Sequence, residues 1–92
     1  MEPIDIAALL DEAVELLRRL GVEVRHVPTG GGGGGLCRVK GKAIVFVDLE
    51  ADVATRLDRC VEALAGLPGA SDLFASPSLR ERIDEALARQ TG

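Results

Sequence analysis

The chain has 92 residues, 47% of them hydrophobic, with two phenylalanines, no Trp or Tyr, and a formal net charge of −4. That length makes one domain near the low end of what folds alone, with a thin aliphatic core that association with another surface would supplement. The acidic balance argues against a general nucleic-acid binder, which needs surplus Lys and Arg to displace counterions, and no apolar run is long enough to span a membrane.

The first helix is expected over about residues 3–20. Pro3 suits the first turn, where its missing N–H is not needed. Ile6, Leu9, Leu10, Ala13, Leu16, Leu17 and Leu20 then recur at spacings of three and four, and Gly21 supplies a left-handed stop. Met1 to Asp5 lacks the basic-then-apolar order of a secretory signal. A cytoplasmic location with reduced thiols is therefore expected. Nine Arg against two Lys, with abundant Ala, Gly, Leu and Val, fits a GC-rich bacterial genome.

Val22 to Val27 alternates with period two, as a half-buried strand does, and Pro28 ends it. Six glycines follow: Gly30, Gly31, Gly32, Gly33, Gly34 and Gly35. Leu36 to Lys40 reads as a second strand. Ala43 to Val47 reads as a third, apolar on both faces and so central or covered twice. The short turn at Gly41-Lys42 makes these two an antiparallel hairpin. A second helix is expected from Asp52 to Ala65, with Val53, Leu57, Cys60, Val61 and Leu64 on its apolar stripe. Gly66 to Gly69 ends it. Ser76 as N-cap and Pro77 as first residue open a C-terminal helix over 76–90, with Leu79, Ile83, Ala86 and Leu87 on one face. The expected fold is a single α+β domain over 1–92, in the order α-β-β-β-α-α. It has a three-stranded, mainly antiparallel sheet on two helices, the last helix closing an edge, and a flexible glycine loop at 29–35.

Glycine runs cradle anions by letting successive N–H groups converge, normally at a helix start whose dipole adds attraction. This run leads into a strand, without the Lys-Ser or Lys-Thr of a P-loop, so a lengthened hairpin connection is the simpler reading. His26, Cys37 and Cys60 are the soft metal ligands. Alternation sets His26 with Val22 and Val24, Cys37 with Val39, and Cys60 on a helix stripe, so all three are expected to face one core. A zinc site there would need Asp48 or Glu62 as fourth ligand, and no pair has knuckle spacing. The same residues offer a Cys37–Cys60 disulfide, a Cys37–His26 nucleophile and base, or plain packing, and packing is the preferred reading. No catalytic residue and no cofactor is assigned.

Arg25, Arg38, Lys40 and Lys42 are expected to share the sheet face opposite the core. Such a face binds RNA with the help of aromatics, which it lacks. Asp11 with Glu12, and Asp84 with Glu85, read as solvated helix faces. Phe74, between turn signals, is expected to tuck into the domain.

Element order, with Gly21-Val22-Glu23-Val24 after the first helix and Ala43 to Asp48 before the second, resembles the front half of gluzincin-like minimal zinc peptidase domains. In that family the helix after the sheet carries His-Glu-x-x-His. Here the stretch is Leu57-Asp58-Arg59-Cys60-Val61-Glu62-Ala63-Leu64, with no histidine, so the resemblance implies a non-catalytic relative. The segments Gly34 to Val39 and Val45 to Asp48 also look like small bacterial proteins that carry over no activity. The function expected is a non-enzymatic protein-interaction or self-association module, with no membrane partner and no nucleic acid. The alternative is a small ligand, metal or thiol site around His26, Cys37, Cys60 and the glycine loop.

Overall fold

The computed structural model describes residues 4–32 and 34–91, so Pro3 and Gly33 lie outside the described residues. Helix α1 spans Ile6–Arg19 and starts at an N-cap, Asp5, whose carboxylate accepts the Ala8 N–H at 3.2 Å. Its buried stripe is Leu9, Ala13, Val14, Leu16 and Leu17. Helix α2 spans Val53–Ala65 behind a second aspartate cap, Asp52, which accepts the Thr55 N–H at 2.7 Å. Those hydrogen bonds from Thr55 hold the Asp52 carboxyl below its ordinary range. Helix α3 spans Pro77–Thr91 and buries Leu79, Ile83 and Ala86.

Between α1 and α2 lie β1 (Glu23–Val27), β2 (Gly34–Val39) and β3 (Lys42–Asp48), in the spatial order β1-β3-β2. The order α-β-β-β-α-α and the central place of β3 are as the sequence predicts. The sheet, however, is mixed: β2 pairs antiparallel with β3, but β1 pairs parallel with it. Hydrophobic alternation sets which face a strand buries and says nothing about its direction. The cause lies in the connection. Residues 28–32 do not turn straight back from β1. They carry the chain across two strand spacings, roughly 10 Å, and leave the slot between for β3.

Gly34 and Gly35 belong to β2 and not to the loop. Gly34 has φ +87, and a Cβ there would stand 1.9 Å from the Phe46 carbonyl oxygen. No other residue fits at that crossing. Across the hairpin, Lys40 and Gly41 have φ 51 and 79, both left-handed as a type I′ turn requires.

Ala43, Val45 and Val47 of β3 face the helices, where Val45 and Val47 join Leu17, Leu57, Cys60, Leu64 and Leu79 in one core. Each fully buried leucine contributes on the order of 2 kcal/mol. Helix α1 lies over β1, and α2 lies over β2 and β3. Helix α3 packs on α2 and, less closely, on α1. It therefore adds a third layer behind the helices instead of closing a sheet edge. The sheet's other side has no helix on it among the described residues.

Candidate functional site

The bare side of the sheet is read from the register. Cross-strand partners point to one side. Ile44 and Phe46 alternate with the core-facing valines, so their partners Glu23 and Arg25 in β1, and Cys37 and Gly35 in β2, lie on the bare side with them. Val39 joins them, being paired with Lys42. Ile44 is buried under these neighbours, Phe46 is half-buried, and Val39 is 48% exposed. Arg25 pairs with Glu23 along β1. A shallow hollow forms between Glu23, Arg25, Val39, Lys42 and Ile44. The surface therefore has an apolar centre with a charged pair at its β1 margin.

Parity corrects three expectations at once. His26 pairs with Val47 and Cys37 with Ile44, and those two β3 residues are three apart, so His26 and Cys37 lie on opposite faces. Both are exposed, because β1 and β2 are edge strands, and alternation within an edge strand does not bury a residue. Cys60 alone is in the core, where burial pushes its thiol up to about 11. Both thiols are free. Among the described residues no cluster of three His, Cys, Asp or Glu side chains could hold a metal ion. The four basic residues also separate: Arg25 and Lys42 lie on the bare side, Arg38 pairs with Ala43 on the helix side, and Lys40 is in the turn.

One N–H of the glycine run, that of Gly31, joins those of Thr29 and Glu50 around an anion, and the anion is the chain's own Asp48. This carboxylate is fully buried at the end of β3. It accepts Thr29 N–H at 2.8 Å and Glu50 N–H at 2.9 Å on Oδ1, and Gly31 N–H at 2.6 Å on Oδ2. Arg59 of α2 reaches the Gly32 carbonyl at 3.4 Å from the other side. A carboxylate taking several backbone donors is strongly held. The loop is thus an internal clasp on Asp48. A sequence signal existed, since an apolar strand ending in Asp before a turn marks an Asx-type bond to the N–H two residues on. The long-range half, from Thr29 and Gly31, had none.

Glu12 is a second residue whose role the sequence did not give. Its carboxylate takes the Ser76 N–H at 2.7 Å and the Ser76 hydroxyl at 2.6 Å, while the same hydroxyl oxygen accepts the Leu79 N–H at 3.4 Å. Glu12 is thus not on a solvated face. It tethers α1 to the capped start of α3. Its position three after Leu9 and four before Leu16 puts it beside the buried stripe. Asp84 and Glu85 are exposed, as expected.

Phe74 is 84% exposed, against the expectation that it would tuck in. Its neighbours Leu73 and Ala75 take the inward positions of that loop. Glu62, from the α2 stretch of the peptidase resemblance, is exposed and paired with Arg59 at 2.9 Å. Among the described residues no helix is long and apolar enough to cross a membrane. Compared with models of protein families, with curated proteins and with solved structures, the chain matches none.

Proposed function

We propose that this chain is a non-enzymatic protein-interaction module, acting in the bacterial cytoplasm, whose contact surface is the bare side of its sheet and the adjoining β2 edge. One observation carries the reading: among the described residues the helices stack on one side of the sheet, and the other side, with Cys37 and Val39 exposed around half-buried Phe46 and buried Ile44, has no helix on it. A three-stranded face of this length offers roughly 300 Å². That is less than half of the roughly 800 Å² per partner of a standard stable interface. The association it supports is therefore weak and exchangeable unless a strand edge adds to it. The bound-anion alternative has less in its favour, because the loop's Thr29 and Gly31 N–H groups are already turned onto Asp48.

The test compares the immobilised chain with its Val39→Glu variant, which places a charge on the exposed apolar rim without touching the core. Proteins retained by the unaltered chain are identified, purified and rebound. Binding of a purified partner, or of the chain itself, that weakens about tenfold in the variant supports the reading. If no purified protein, the chain included, distinguishes the two forms, the reading is wrong.

A further inference from the structure

The two edges of the sheet differ in how they are guarded. β1 carries three titratable side chains in five residues, Glu23, Arg25 and His26, and is followed by Pro28. Charges and proline are the usual devices that keep an edge from pairing. β2 has one charge, Arg38, beside Leu36, Cys37 and Val39, all exposed.

The direction of the β2 backbone groups follows from the turn. A two-residue type I′ connection makes Val39–Lys42 a hydrogen-bonded pair. Alternation then makes Cys37–Ile44 and Gly35–Phe46 hydrogen-bonded as well. The N–H and C=O groups of Leu36 and Arg38 therefore point away from β3, along the open edge. Both side chains point to the helix layer and stay exposed, Leu36 at 38%, although α2 lies over β2.

We infer that the partner of this edge is a second copy of the chain, with β2 laid antiparallel on β2 about a two-fold axis at Cys37. This rests on the interaction reading and names its partner. In that register Leu36 of each copy stands opposite Arg38 of the other, and the outward N–H and C=O groups of both residues meet in hydrogen-bonded pairs. Each Leu36 then lies against the aliphatic stem of an arginine. Cys37 stands opposite itself in a non-hydrogen-bonded pair, where Cα atoms are about 4.5 Å apart. Centring the axis on Arg38 would instead set two guanidinium groups face to face, which like-charge repulsion disfavours. The product is one six-stranded sheet with all helices on one side, and it doubles the bare face.

The test is sedimentation equilibrium of the full chain from micromolar to millimolar concentration, with Leu36→Lys and Phe74→Ser as variants. Diamide oxidation of the unaltered protein, read by mass under non-reducing conditions, accompanies it. Pairing through β2 predicts a concentration-dependent dimer, weakened about tenfold or more by Leu36→Lys and unchanged by Phe74→Ser. It also predicts an intermolecular Cys37–Cys37 disulfide, a result that does not depend on any variant folding. A dimer that ignores Leu36→Lys and leaves Cys37 uncrosslinked overturns the β2 geometry while the interaction reading stands. A monomer that binds another protein in a Val39-dependent way overturns self-pairing alone. A monomer that binds nothing overturns both.

Discussion

The Asp48 carboxylate and the Gly31 N–H meet at 2.6 Å across the end of the sheet, joining the close of the central strand to a loop 17 residues earlier. That bond, with those from Thr29 and Glu50, fixes where the chain crosses from one outer strand to the other. Asp48→Asn keeps the shape but replaces one acceptor oxygen by a donor facing N–H groups. It is expected to cost about 2–4 kcal/mol in denaturant unfolding, in the range for bonds to a buried charge. The amides of Thr29, Gly31 and Glu50 should lose protection in hydrogen exchange together. Unchanged protection would mean the clasp does not hold the loop.

Glycines of the run are not equivalent. Gly34→Ala drives a methyl group into the Phe46 carbonyl, at 1.9 Å, and should destabilise by more than about 3 kcal/mol or prevent folding. Gly32→Ala meets nothing within 4 Å and is not in the left-handed region. It should be neutral or stabilise by up to about 1 kcal/mol, through the unfolded chain's lost freedom. Thermal melts of the two variants side by side check both.

The Glu12–Ser76 contact ties the first helix to the last. Removing either partner strands the other, so Glu12→Ala and Ser76→Ala should each cost about 1–2 kcal/mol. Their double mutant should cost clearly less than the sum, with a coupling of roughly 1 kcal/mol. Strict additivity in a double-mutant cycle would refute the tether.

Cys60 gives a pH signature. Its thiol is raised by burial from 9.0 to about 11. The folded state therefore holds this proton more tightly than the unfolded chain does. Stability from it is full below pH 9 and falls as pH rises toward 11. The loss is on the order of 2–3 kcal/mol at the upper end. Cys60→Ala should lower stability at pH 7 through lost packing, yet flatten the decline between pH 8.5 and 10.5 relative to the unaltered protein. Parallel slopes in the two proteins would show that Cys60 does not titrate in this way. Thiol reagents at neutral pH should label Cys37 and spare Cys60, because one is exposed and the other buried.

Local chemistry was readable from the sequence wherever a residue's partner is near it in the chain. Period-three and period-four leucines and the Ser76 cap with Pro77 locate their helices, and the hairpin turn expected at Gly41-Lys42 falls one residue earlier, at Lys40-Gly41. The apolar run of β3 marks it as the central strand. All of these depend on contacts a few residues apart, which composition and spacing encode directly.

Tertiary structure decided the rest, because it depends on pairs far apart in the chain. Whether β1 runs with or against β3, and hence that His26 and Cys37 face opposite ways, depends on a register no single strand contains. That Thr29 and Gly31 close on Asp48, that Glu12 holds Ser76 64 residues away, and that α3 stacks behind the other helices are of the same kind. A sequence lists donors, acceptors and apolar faces. Only the packed chain assigns which donor meets which acceptor, and which face is left over for something else.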